Sequence, residues 1–170
     1  EARHRPHARS RARAFGMKCL GNDIIEISPE IIQATGVDMT SLENLLACSS
    51  FVSLNTTLNS TSFHLINART LALMMPEAVL INTSRGSVVD EAALVAALQA
   101  GKIGGAALDV FEHEPLPADS PLLSMDNVML APHNSNSSST AWERVHWHTI
   151  RNLLDGLGIS TLGFEKWSKA

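Results

Sequence analysis

Five short apolar runs, MKCLG (17–21), FVSL (51–54), AVLIN (78–82), GAALDV (105–110) and VMLA (128–131), are separated by stretches with helical spacing. That alternation restricts the fold more than any other feature. Runs without internal polar alternation are expected to be buried on both faces, and helices between them impose parallel crossovers. The chain is therefore predicted to be a doubly wound α/β domain with a parallel sheet covered on both sides. The helical stretches carry their own punctuation. TSLENLLAC has Thr40 and Glu43 at capping-box spacing, and NARTLALMMP is stopped by Pro76. DEAALVAALQAGK opens on Asp90 and Glu91 and closes at Gly101, and a last helix is expected from about 138 to 156.

Each run ends in polar residues: Asp23 after the first, Asn55 after the second, Ser84 and Arg85 after the third, Asp109 and then Glu114 with the fourth, His133 after the fifth. In one parallel sheet these five ends share an edge, the edge where open α/β sheets bind ligands. Arg85 in isolation reads as a solvated charge, but just past a buried strand, with Gly86 allowing close approach, it is a fork for a carboxylate. Asp23 alone reads as a turn or cap residue. At a strand end of a dinucleotide fold, the same carboxylate accepts hydrogen bonds from an adenosine ribose and repels a 2′-phosphate, which favours NAD. Glu112 and His113 are expected to lie in a solvated loop. His133, held between Pro132 and a serine-rich helix start, is a candidate acid/base.

An arginine, a glutamate and a histidine on one edge suit reduction of a 2-keto acid. The arginine would grip the carboxylate and polarise the carbonyl, the histidine would give a proton to the carbonyl oxygen, and Glu114 beside the imidazole would stabilise its charged form. Other chemistries fit less well. Ser84 lies in NTSRG and not in a G-x-S-x-G elbow, so serine hydrolysis is disfavoured. Pro115 interrupts any zinc helix through His113 and Glu114, and His146 and His148, two apart on a helix, point different ways, so no metal site is expected. Trp142 and Trp147 read as packing residues.

Composition supports a single globular domain: 170 residues, 45% hydrophobic, with a net charge of -4. That charge gives no basic face for nucleic acid, apart from the arm EARHRPHARSRAR. The arm can be read as a targeting peptide or a nucleic-acid arm, but a chain that begins partway through a longer protein explains it better. No apolar run approaches the roughly 18 residues of a membrane span. Cys19 and Cys48 show no metal spacing, are expected to be buried thiols, and fit a reducing, cytoplasmic compartment.

The stretch from His64 to Ser135, with NTSRG, ALDVFEHEP and APH in order, closely resembles the NAD-binding domain of the D-isomer-specific 2-hydroxyacid dehydrogenases. The likeness runs from about 12 to 158. It implies a Rossmann-like domain, NAD as cofactor, a 2-keto or 2-hydroxy acid as substrate, and a homodimer when full length. By the same matching, Arg85 is the substrate-binding catalytic arginine, Glu114 the histidine's carboxylate partner and His133 the proton donor. Asp23 would bind the adenosine ribose, Thr83, Ser84 and Arg85 would line the nicotinamide side, and Asp109 would contact the nicotinamide end, where His133 also stands.

The chain departs from the family at several points. Where relatives commonly have His-Cys-Pro or His-Val-Pro it has Asn55-Thr56-Thr57, which assigns Asn55 and Thr56 to the cofactor side by position; Ser50 stands where relatives often have Asp. Before Gly21 there is only Gly16, so the first strand and the glycine-rich pyrophosphate turn are missing, as is the family's N-terminal portion. The expected layout is an arm or junction at 1–11, an incomplete dinucleotide-binding domain at 12–158 and a tail at 159–170. A fragment of this kind is expected to bind NAD weakly or not at all and to show no turnover alone. Two other readings remain open: an NAD(H)-sensing module like the corepressors that resemble this family, and a nonfunctional remnant.

Overall fold

A computed structural model describes residues 11–134 and 137–159, so nearly all of the expected arm and tail lies outside the described residues. The chain divides into two units, Glu1–Leu130 and Ala131–Ala170.

The first unit contains β1 (Leu20–Gly21), α1 (Pro29–Thr35), β2 (Asp38–Met39), α2 (Leu42–Cys48), β3 (Phe51–Leu54), α3 (Ala68–Leu71), β4 (Val79–Asn82), α4 (Glu91–Gln99), β5 (Gly105–Leu108) and β6 (Val128–Leu130). Strands β3 to β6 form a four-stranded sheet in sequence order, every pair parallel, with Leu54, Asn82, Leu108 and Leu130 in register across its carboxyl edge. This is the predicted parallel α/β architecture.

Two expectations about the sheet are corrected. The first predicted strand does not join the other four; β1 pairs only with β2, in a separate two-stranded sheet. Its ladder groups are taken up there: the Asp38 N–H donates to the Cys19 carbonyl at 3.0 Å and the Thr40 N–H to the Gly21 carbonyl at 2.9 Å. The four-stranded sheet is also not buried on both faces. Val52, Leu54, Leu80, Asn82, Ala106 and Leu108 point to the buried side, where Leu46 of α2, Leu71 of α3 and Leu94 and Leu98 of α4 complete the core. On the opposite face Phe51 is 55% and Met129 73% exposed. The outer strands are therefore amphipathic, whereas β5, whose Gly105 and Ala107 carry almost no side chain, is buried except at the partly exposed Ala107.

Caps set the helix starts. Ser41, one residue later than expected, accepts from the Asn44 N–H at 3.2 Å and opens α2, leaving Glu43 in the first turn. Asn67 and Thr70 form the capping box of α3, which stops at Leu71, well short of Pro76. The sequence reading missed α1, although Ser28, Pro29 and left-handed Gly36 mark its ends. Glu30 in its first turn has its carboxyl held below the usual range, mainly by a backbone hydrogen bond and then by the Ser28 hydroxyl. For α4, Asp90 accepts from the Ala93 N–H at 3.0 Å, and Gly101 beyond the last turn has φ of +61°. Asp90→Ala should cost about 1 kcal/mol. A thermal melt of the chain unchanged by that substitution would remove the cap from the account.

Cys19 is partly exposed and Cys48 exposed, contrary to expectation; Cys48 ends α2 on its outer side, its thiol toward Asn44. In the second unit, Ser138 caps α5 (Ser139–Gly156) by accepting from the Ala141 N–H at 3.1 Å. Trp142 on this helix is exposed and meets the His146 ring edge-on. No helix among the described residues is long and apolar enough to cross a membrane.

Candidate functional site

The turn after β4 is built around Asn82. This side chain is 1% exposed, and every polar atom on it is used. Its Oδ1 accepts from the Ser84 N–H at 3.0 Å and the Ser84 hydroxyl at 2.8 Å, while its Nδ2 donates to the Arg85 carbonyl at 3.0 Å. A buried amide earns its place in an apolar strand only when satisfied in this way, and here it fixes the backbone that carries Arg85. Arg85 itself is exposed and donates one hydrogen bond from Nη1 to the Ser84 carbonyl at 2.6 Å. Its other guanidinium N–H groups have no partner among the described residues, so the fork remains open to an anion.

Gly86 follows, and the structure gives it a role different from the expected one. A Cβ built there would lie 1.8 Å from the Phe111 carbonyl oxygen and 1.9 Å from its carbon. What approaches closely is the chain itself: the Arg85 turn rests on the backbone of Phe111 and Glu112. Three residues beyond Phe111, Glu114 turns back and its Oε1 accepts from the Phe111 N–H at 3.0 Å. The same contact thus brings the Arg85 turn and the loop bearing Glu114 together.

Other predicted residues follow neighbouring strands of the same edge. Asn55, after β3, donates from Nδ2 to the Ser53 carbonyl and hydroxyl at 3.2 and 3.1 Å, and Thr56 is half-buried beside it. Thr83 is half-buried and Ser84 buried after β4. Asp109, 4% exposed after β5, donates its backbone N–H to the Asn82 carbonyl at 3.0 Å. Asp23 stands apart, after β1 of the small sheet, where its Oδ1 accepts from the Ile25 N–H at 3.3 Å. His133 belongs to the second unit, exposed and with φ of +53°, a left-handed conformation uncommon outside glycine.

One expectation fails outright. Glu112 is not a solvated loop residue. Its Oε1 lies 2.6 Å from His64 Nε2, and its Oε2 accepts from the Glu91 N–H at 3.1 Å. His113 does remain exposed. Sequence reasoning missed His64, Glu112 and Asn82; of these only Asn82, a lone amide closing an apolar run, left a local signal.

A parallel α/β sheet with an exposed arginine and acidic residues along its carboxyl edge is the arrangement of a dinucleotide-linked enzyme domain. The comparisons agree. The chain belongs to the D-isomer specific 2-hydroxyacid dehydrogenase family, whose NAD binding domain matches residues 6–135. It is 44% identical over 144 residues to a glyoxylate reductase of Korarchaeum cryptofilum, covering 85% of this chain and 43% of that protein. A D-3-phosphoglycerate dehydrogenase of Methanocaldococcus jannaschii is 42% identical over 132 residues, 77% of this chain and 25% of that protein. Among solved structures, D-lactate dehydrogenase with NAD+ from Lactobacillus jensenii superposes with a TM-score of 0.81 at 28% identity, covering 91% of this chain and 50% of that one. The chain thus spans less than half the length of the curated relatives it matches.

The residues present fit NAD in part. The Asp23 carboxylate is exposed, and its Oδ2 has no partner among the described residues, as a ribose diol requires. Thr83, Ser84, Arg85 and Asp109 stand on the carboxyl edge of the four-stranded sheet, apart from Asp23. For the pyrophosphate the residues do not fit: no G-x-G-x-x-G turn occurs in the 170 residues given.

Proposed function

We propose that this chain is the nucleotide-binding part of an NAD-dependent dehydrogenase that interconverts a 2-keto acid and a 2-hydroxy acid. The observation that carries the reading is the Arg85 guanidinium, presented at a strand end by the buried Asn82 amide with most of its donors open. Arg85 binds the substrate carboxylate in bidentate fashion and polarises the adjoining carbonyl. His133 delivers a proton from its imidazole to the carbonyl oxygen in reduction and removes it in oxidation. Glu114 stabilises the charged imidazole. NAD supplies the hydride chemistry when bound. Asp23 takes the adenosine ribose; Thr83, Ser84 and Arg85 line the nicotinamide side, Asp109 contacts the nicotinamide end, and Asn55, Thr56 and His133 also contact the cofactor. Two free thiols suit a cytoplasmic location, and the family likeness supports a homodimer for the full-length protein.

The test is to join the chain to the N-terminal half of a glyoxylate reductase relative and to follow NADH oxidation with glyoxylate, hydroxypyruvate and pyruvate. Turnover with at least one of them is expected. A fusion that binds NADH and turns over none of the three would favour the NAD(H)-sensing reading.

A further inference from the structure

His64 and Glu112 lie outside every role assigned above, and each is held by several hydrogen bonds at the sheet's carboxyl edge. Both carboxylate oxygens of Glu112 are used, on His64 Nε2 at 2.6 Å and on the Glu91 N–H at 3.1 Å. Its own N–H donates back to Glu91 Oε2 at 3.2 Å. His64 is anchored equally on the other side: its N–H donates to the Ser87 carbonyl at 2.9 Å, two residues after Arg85, and its carbonyl accepts from Asn67 Nδ2 at 2.9 Å. Its ring stacks on Phe63 with centroids 4.0 Å apart. The backbone of His64 is left-handed, φ +47°, a conformation that persists only where surrounding contacts enforce it.

These contacts close a circuit. The His64 backbone holds the segment after Arg85, and its ring holds the residue two before Glu114. Beyond Glu112, residues 113–115 are exposed, so Glu112 is the last anchored residue before Glu114. We propose that His64 and Glu112 are a positioning pair that fixes the loop bearing Glu114 against the turn bearing Arg85. The proposal rests on the reading of those two residues given above.

Amide hydrogen exchange on the 170-residue chain tests the pair without requiring turnover. His64→Phe keeps a ring for Phe63 and removes Nε2, whereas His64→Gln carries a comparable left-handed cost and restores an N–H donor at similar reach. In His64→Phe the Phe111 and Glu91 amides should exchange about tenfold faster while Ile81 and Ala107 in the strands change little, and His64→Gln should reverse most of the gain. Glu112→Ala should reproduce the pattern, and it substitutes for His64→Phe if that variant fails to fold. Unchanged exchange at Phe111 and Glu91, uniform acceleration at every amide, or no rescue by glutamine would overturn the pair.

The kinetic arm uses the active fusion. His64→Phe should lower kcat with glyoxylate about tenfold with the KM for NADH unchanged. Unaltered kcat alongside faster Phe111 exchange would reduce the pair to a structural tie and overturn its role in positioning. If the parent fusion turns over nothing, the functional reading fails on its own, and the exchange measurements still decide whether the pair holds the loop.

Discussion

Gly86→Ala should be among the most damaging single substitutions in the first unit. The added methyl would meet the carbonyl of Phe111 at 1.8 Å, and the obstacle is backbone, so no side-chain rotation can relieve it. Either the Arg85 turn or the strand exit at Phe111 must move by more than an ångström in a region where Asn82 and Val88 are fully packed. Overpacking against an immovable wall costs about 3 kcal/mol, a large part of a domain's stability. The control is Gly101→Ala, where nothing lies within 4 Å and only the positive φ opposes a side chain. About 1 kcal/mol is expected there. Chemical denaturation of both variants distinguishes the two origins. Equal losses would show that the close approach at Gly86 is not what requires glycine.

Arg85→Lys should cost activity almost as heavily as Arg85→Ala. Lysine keeps the charge but loses the planar fork, and it has one head group to serve both carboxylate and carbonyl. In the active fusion, kcat/KM for the keto acid should fall by about 10²–10³, with NADH affinity little changed, as the proposed grip of Arg85 on the substrate carboxylate requires. Stability should also hold, since the side chain is exposed and makes a single hydrogen bond. A lysine variant that retains the parental rate would separate Arg85 from substrate binding.

What could be read from the sequence follows from distance along the chain. The runs FVSL, AVLIN, GAALDV and VMLA announced the four-stranded sheet because a strand's burial is written in its own residues. Asp90, Gly101 and Ser138 were legible for the same reason, as caps act within a turn. MKCLG was read as a member of that sheet because periodicity cannot tell which strand pairs with which; its partner, Asp38–Met39, is too short and polar to register as a strand. Exposure of Phe51 and Met129 was invisible for a related reason. An apolar run states that burial would be favourable, not that a helix is there to supply it. At the site, Arg85 and Glu114 stood out through their positions after strands, but Glu112 was misread as solvated because its partners, His64 and Glu91, are 48 and 21 residues away.

That separation also sets an order of assembly. The Asn82 bonds that shape the Arg85 turn span three residues and can form as soon as the turn exists. The Phe111 contact at Gly86 and the Glu112 bonds to His64 and Glu91 cannot, since every pairing in the sheet is parallel and each strand must await the crossover that precedes it. On a ribosome making the chain from its N-terminus, the arginine turn is complete in itself long before it has anything to be aligned with. The last residues to emerge before Glu114 are the ones that convert two separate loops into a single rigid edge.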